Sequence, residues 1–154
     1  MKMITQIKSR LFLLLLVLTC AGSALADTTF KITDGVVESQ LKDRMEANTK
    51  ALLDAFRKAA DDGEKTVKLS KDNVSKTAIE EIREIWKSSA LSCPPMSIRC
   101  RCLQTKDGYQ VRGIPVDMLE ADEADARQEL TVNYDHNGLI TSVAIAIEMN
   151  RYEE

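Results

Sequence analysis

Residues 129–152 alternate so regularly that they leave the chain one way to fold there. They read Glu-Leu-Thr-Val-Asn-Tyr-Asp-His-Asn-Gly-Leu-Ile-Thr-Ser-Val-Ala-Ile-Ala-Ile-Glu-Met-Asn-Arg-Tyr. Successive side chains of a strand point to opposite faces, so a period of two marks a strand with one buried side. Leu130, Val132 and Tyr134 then share one face, and Thr131 and Asn133 the other. In the second run Leu139, Thr141, Val143, Ile145, Ile147 and Met149 share a face, opposite Ser142, Ala144, Ala146 and Glu148. Asp135-His136-Asn137-Gly138 lies between the runs, and Asn and Gly tolerate the positive φ of a tight turn. The sequence predicts an antiparallel hairpin with an apolar side in need of cover.

A helix near the other end of the chain can supply that cover. From an Asp34 cap to about Asp61, Val37, Leu41, Met45, Asn48, Leu52, Phe56 and Ala59 recur every three or four residues. That spacing makes one stripe along a helix of about 27 residues, nearly 40 Å long. Asp62-Gly63 ends it. Asn48 is the one polar residue on the stripe, and is read as a satisfied core hydrogen-bonder or a ligand contact. After an extended link at Thr66–Leu69, Ser75 caps a second helix to about Lys87, with Ala78, Ile79, Ile82, Ile85 and Trp86 inward. Trp86, the only tryptophan, serves the core or a pocket wall.

The remaining segments read as further strands and connections. Ser88 to Pro95 is a loop, broken by Pro94-Pro95. Ser97 to Gln104 places Ile98, Cys100 and Cys102 on one face and Arg99 and Arg101 on the other. After a Lys106-Asp107-Gly108 turn, Tyr109 to about Val116 forms a strand. Tyr109 and Val111 face one way there, and Gln110, Arg112 and Ile114 the other. Gly113 and Pro115 in this strand suit a bulge or an edge. Leu119 to Gln128, with Glu120, Asp122, Glu123 and Asp125, reads as a solvated acidic connection without regular structure or with a short frayed helix. The fold class is therefore α+β, a curved antiparallel sheet of about four strands wrapped over a long N-terminal helix and a second, shorter one.

Residues 1–26 read as a signal peptide. Lys2, Lys8 and Arg10 precede the apolar run Leu11–Leu18, and Ala24-Leu25-Ala26 is a small-x-small cleavage site. The apolar run falls short of the roughly 20 residues a permanent span needs. The domain division is thus 1–26 for export and 27–154 for a single domain, periplasmic or secreted. Lipid anchoring through Cys20 is the alternative. Removing the leader takes away three of the 21 basic residues and none of the 24 acidic ones, leaving 18 against 24 and a net charge near −6. Such a balance argues against non-specific nucleic-acid binding. No later stretch is apolar enough for a membrane span.

Three cysteines remain after cleavage, Cys93, Cys100 and Cys102. Export makes a disulfide the default, with Cys93 joined to one of the other two and the pairing open. A bond between Cys100 and Cys102 is sterically poor, since both lie on one strand face. A thiolate metal site with His136 as fourth ligand is the competing reading, weakened by the missing C-x-x-C spacing. No metal or cofactor is expected.

The order of elements, together with Leu130 to Val143, resembles the nuclear transport factor 2-like superfamily, whose last hairpin carries an apolar-Asp-x-x-Gly-x-Ile turn. The cystatin-like wrap is the nearest rival, but Gln110-Val111-Arg112-Gly113 falls one residue short of the Gln-x-Val-x-Gly motif of that family. The resemblance implies a cone whose members include dehydratases, isomerases and non-catalytic binding or dimerising domains. Its enzymes carry Asp, His or Tyr inside the cone, whereas His136, the only histidine, falls in a turn. Tyr109, Tyr134 and Asp117 are the remaining set for proton transfer, and the two tyrosines are more simply core-facing aromatics. Phosphate loops, Gly-x-Ser-x-Gly and His-Glu-x-x-His are missing from the sequence. The expected function is a non-catalytic exported binding or assembly domain. It would act through the cone mouth or an outer sheet face bearing Arg99, Arg101, Gln110, Arg112, Thr131, Asn133, Ala144 and Ala146. The expected partner there is another protein or a second copy. The alternative is a small-molecule pocket or vestigial enzyme lined by Asn48, Trp86, Tyr109, Tyr134 and Met149.

Overall fold

The computed structural model describes residues 27–35, 37–88, 91–118 and 126–149. The expected signal peptide with Cys20, and most of the acidic connection, lie outside these residues. The described chain is α+β, with two helices and an open, curved sheet of six strands in place of the four expected.

The extended lead-in is a strand in its own right. In β1 (Thr29–Asp34) Phe30 and Ile32 turn inward and Thr29 and Lys31 outward. It pairs in parallel with β3 (Ser97–Thr105), so the sheet is mixed and not purely antiparallel. Because Lys31–Asp34 belong to the ladder, the long helix α1 starts at Ser39 and runs to Asp61. Asp34 accepts the Gly35 N–H instead of capping a helix. At the far end of α1, Glu64 N–H returns to the Ala59 carbonyl and Gly63 N–H to that of Ala60. These bonds satisfy carbonyls that the helix end would otherwise leave open.

The buried side of α1 holds Met45, Asn48, Leu52, Phe56 and Ala59, as its period requires, and also Glu46, Thr49 and Leu53. The second helix, α2 (Lys76–Ser88), begins as read: Ser75 Oγ accepts the Ala78 N–H at 3.2 Å. Ala78, Ile79, Ile82 and Trp86 are buried, with Ile85 half-buried. The Trp86 ring stacks on Phe56 with centroids 5.9 Å apart, joining the two helices.

Beyond β1, the sheet runs β3, β4 (Gly108–Met118), β5 (Ala126–Tyr134) and β6 (Ile140–Met149), all antiparallel. The loop expected at 88–95 contains a short strand, β2 (Leu91–Ser92), on the end of β4. Strand β5 begins at Ala126, so 126–128 are sheet and not connection.

Two bulges correct the assignment of faces. Between Val111 and Ile114 the register of β4 against β5 shifts at Gly113, which has φ +77°. The extra residue reverses the alternation, so Ile114 and Val116 join Val111 in the core instead of facing out. A second shift in the β5–β6 pairing sets Tyr134 opposite Ile140 and Asn133 opposite Ser142. Ile140 is fully buried, while Leu139 and Thr141 stay half-exposed. Over Val143, Ala144, Ile145 and Ala146 the expected faces return. The core is one apolar cluster in which Phe30 and Ile32, the α1 and α2 stripes and the inner sheet face meet. No described helix is long and apolar enough to cross a membrane.

Candidate functional site

The residues nominated as pocket walls are held by partners within the protein. Asn48 is 6% exposed, and its Nδ2 donates to the Gly138 carbonyl at 2.7 Å. One helical turn earlier, Arg44 Nη1 donates to the Asn137 carbonyl at 3.2 Å. Together they fix the β5–β6 turn onto α1. Gly138 sits so close that a Cβ there would lie 3.0 Å from Leu41 Cδ1. Within the turn, Asp135 Oδ1 accepts the N–H groups of Asn137 and Leu139.

Tyr134 is buried, and its hydroxyl shares a short hydrogen bond with Thr49 Oγ1. Burial pushes its phenol well above the ordinary tyrosine range. Tyr109, opposite Tyr134 in the ladder, is half-buried and meets the edge of the His136 ring at 6.4 Å. Asn48, Tyr109, Tyr134 and the exposed His136 therefore gather around one turn. Trp86 does not join them. Its Nε1 donates to the Glu64 carbonyl at 3.1 Å, and its ring lies on Phe56. Phe56 is eight residues, about 12 Å, further along α1 than Asn48. The Met149 side chain lies outside the described residues. Asp117 and Tyr109 stand at opposite ends of β4, about 26 Å apart at strand rise, so the proton-transfer set does not converge.

Clefts among the described residues open at the surface. One of about 520 Å³ is lined by Arg44, Asn48, Asp72, Asp135, Asn137 and Leu139. Another of about 360 Å³ runs between α1 and β1. Neither is lined by Trp86, Tyr109 or Tyr134.

The expected disulfide is corrected: Cys93, Cys100 and Cys102 are free, buried thiols. Cys100 and Cys102 share one face of β3, with Cα atoms about 7 Å apart at strand rise, at the limit of a disulfide's reach. Cys93, just after β2, directs its thiol at the Pro94 and Pro115 carbonyls. Desolvation pushes the Cys93 thiol up to about 11 and raises those of Cys100 and Cys102. A thiol pushed up to about 11, as at Cys93, is a poor nucleophile at neutral pH. His136, in the exposed turn, stands apart from Cys93 beside Pro115. Among the described residues no group of three or more His, Cys, Asp or Glu is placed to hold a metal.

The outer sheet face brings its nominated residues together. Gln110 Nε2 donates to Asn133 Oδ1 at 2.8 Å, and Asn133 Nδ2 donates to Ser142 Oγ at 2.8 Å. Arg112 Nε donates to Gln110 Oε1 at 2.5 Å. The result is a polar ladder across β4, β5 and β6. Beside it Ala144 lies opposite Thr131 and Ala146 opposite Glu129, both alanines exposed. Arg99 and Arg101 are exposed on β3, and Arg101 Nε lies 3.5 Å from Asp34 Oδ2. Leu103, 38% exposed, is a large apolar residue at the end of this strand. The nominated interface residues thus share one surface.

Comparison with known families, curated proteins and solved structures gives no match for this chain. Its function is therefore argued from this geometry.

Two residues of the site escaped the sequence reading. Glu46 is 7% exposed, with Oε1 accepting the Ile32 N–H at 2.8 Å and Oε2 meeting Lys31 Nζ at 3.0 Å. It closes part of the free edge of β1, a position where an open strand invites pairing. Ser142 completes the ladder only because a bulge sets it opposite Asn133. A buried carboxylate has no sequence signal of its own, and by helical spacing Glu46 reads with Lys42, Asp43 and Lys50 as part of the solvated face of α1, which its burial corrects.

Proposed function

We propose that this protein is an exported, non-catalytic binding or assembly domain that acts through the outer face of its sheet. The observation that carries this reading is the ladder Arg112–Gln110–Asn133–Ser142 beside exposed Ala144 and Ala146. Side chains held in place before a partner arrives lose little freedom on binding, and small neighbours let a flat surface come close. The bonding of the nominated pocket residues supports the same reading. A pocket protein needs its polar groups aimed into a cavity, and here Asn48, Trp86 and Tyr134 are each bonded within the fold. The likeness to nuclear transport factor 2-like domains belongs to this proposal, supported by the long helix, the second helix with Trp86 in its last turn and the final hairpin. Export belongs to it too, on the strength of the 1–26 leader.

A photocrosslinking amino acid at Ala144 tests the reading, with one at Glu81 on α2 as control. Discrete adducts in producing cells from position 144, and none from 81, are the expected result. A clean lane at 144 removes the sheet face as the acting surface.

A further inference from the structure

The sheet face is not uniform in charge. On β1 and β3, Lys31 stands opposite Arg99 and Asp34 opposite Arg101. Arg112 follows Val111, whose ladder partner is Cys102, so it lies beside Arg101 on the adjacent strand. Residues two apart on a strand are separated by about 7 Å, and neighbouring strands by about 4.8 Å. Arg99, Arg101 and Arg112 thus form one basic strip across β3 and β4, with Lys31 beside it on β1, its ammonium turned to Glu46 of α1. All four are exposed. Among the described residues Asp34 pairs with Arg101 and Glu46 with Lys31, and Arg99 has no ion pair. On the other half of the face Thr131, Asn133, Ser142, Ala144 and Ala146 are neutral, and Glu129, opposite Ala146, is the carboxylate beside them.

We infer that this strip makes the face a docking site for a second, acidic protein. The inference rests on the sheet face being the acting surface, and adds the chemistry of what it meets. Charge complementarity selects the partner's sign. Two-fold pairing through the centre of the strip would bring arginine against arginine, so a second copy fits poorly. Nucleic acid fits poorly as well. The described part of this face offers no aromatic ring on which bases could stack. Arginines at strand spacing suit carboxylates, which the guanidinium fork binds in pairs. The fixed Gln110–Arg112 bond holds one fork ready.

The test uses the mature chain and immobilised poly-L-glutamate as a probe of carboxylate recognition on a polypeptide. Wild type is expected to be retained, and rising salt is expected to release it as the charges are screened. Arg99→Glu/Arg112→Glu should bind about tenfold more weakly or worse. Lys71→Glu/Lys76→Glu carries the same change in net charge away from the face and should bind like wild type. Both sites in the first variant are exposed, and unchanged Trp86 emission certifies its fold. Arg99→Gln/Arg112→Gln provides a milder version, expected to fall between the two. No retention of wild type, equal loss in both charge-matched variants, stronger retention on heparin, or a dimer dissociated by Arg99→Glu/Arg112→Glu would each overturn the inference. Adducts from position 144 without poly-L-glutamate retention would sink the acidic partner while leaving the sheet face standing.

Discussion

At the scale of single residues, the most consequential bond joins Thr49 on α1 to Tyr134 on β5. Both are buried, and each hydroxyl is the other's partner where no solvent can replace it. Leaving one such group alone in an apolar setting costs more than the bond itself contributes, and removing both restores most of the loss. Tyr134→Phe and Thr49→Val should each lower stability by about 1–2 kcal/mol. The double variant should lose clearly less than the sum. Denaturant unfolding of the four proteins measures this coupling, and additive losses would show that the bond contributes nothing.

Among the elements, β4 shows how one glycine decides which side chains face the core. Gly113 has φ +77°, a conformation in which an L side chain is strained, yet a Cβ there would meet only Glu129 Oε2 at 3.9 Å. The cost of Gly113→Ala is therefore conformational and not steric. It should amount to about 1–2 kcal/mol, read from the unfolding midpoint. Gly138 differs, because a Cβ would press on Leu41, Met45 and Arg44 as well as forcing the backbone at φ +82°. Gly138→Ala should destabilise more than Gly113→Ala. The reverse order would mean that α1 yields to the turn more readily than its packing suggests. The other elements express local chemistry: Ser75 caps α2, and β3 alternates as its sequence dictates.

For the whole molecule, the apolar cluster has no break between helices and sheet. α1 touches the first strand through Glu46, the last hairpin through Arg44 and Asn48, and α2 through Phe56. Lys50 and Arg57 tie α1 to the start of β1, with Lys50 Nζ at 3.0 Å from Asp27 and Arg57 donating to Thr28 Oγ1 at 3.1 Å. A domain so joined should unfold as one unit. Trp86 is the single tryptophan and lies against Phe56, so its emission reports the helix–helix contact while far-ultraviolet circular dichroism reports the sheet and helices. The two denaturation curves should superimpose, and separate midpoints would show the helix pair and the sheet melting independently.

The sequence by itself determined what depends on near neighbours along the chain. Strand alternation at 97–104 and 130–134, the Asp135–Gly138 turn, the α1 stripe and the Ser75 cap all follow from short-range sterics and hydrogen bonding. It also placed the nominated residues Arg99, Arg101, Arg112, Ala144 and Ala146 on outward strand positions, where the structure exposes them. Only the tertiary structure decided the rest. Whether Thr29–Asp34 pairs, and in which direction, depends on β3, more than sixty residues away. An extra residue at Gly113, or in the pairing of Asn133 and Tyr134, costs the sequence pattern nothing locally but reverses which side chains enter the core. The same long-range register turned Gln110, Asn133 and Ser142 into a ladder. It also left the three thiols buried and apart, because cross-strand partners are set by packing of the whole sheet and not by spacing along one strand.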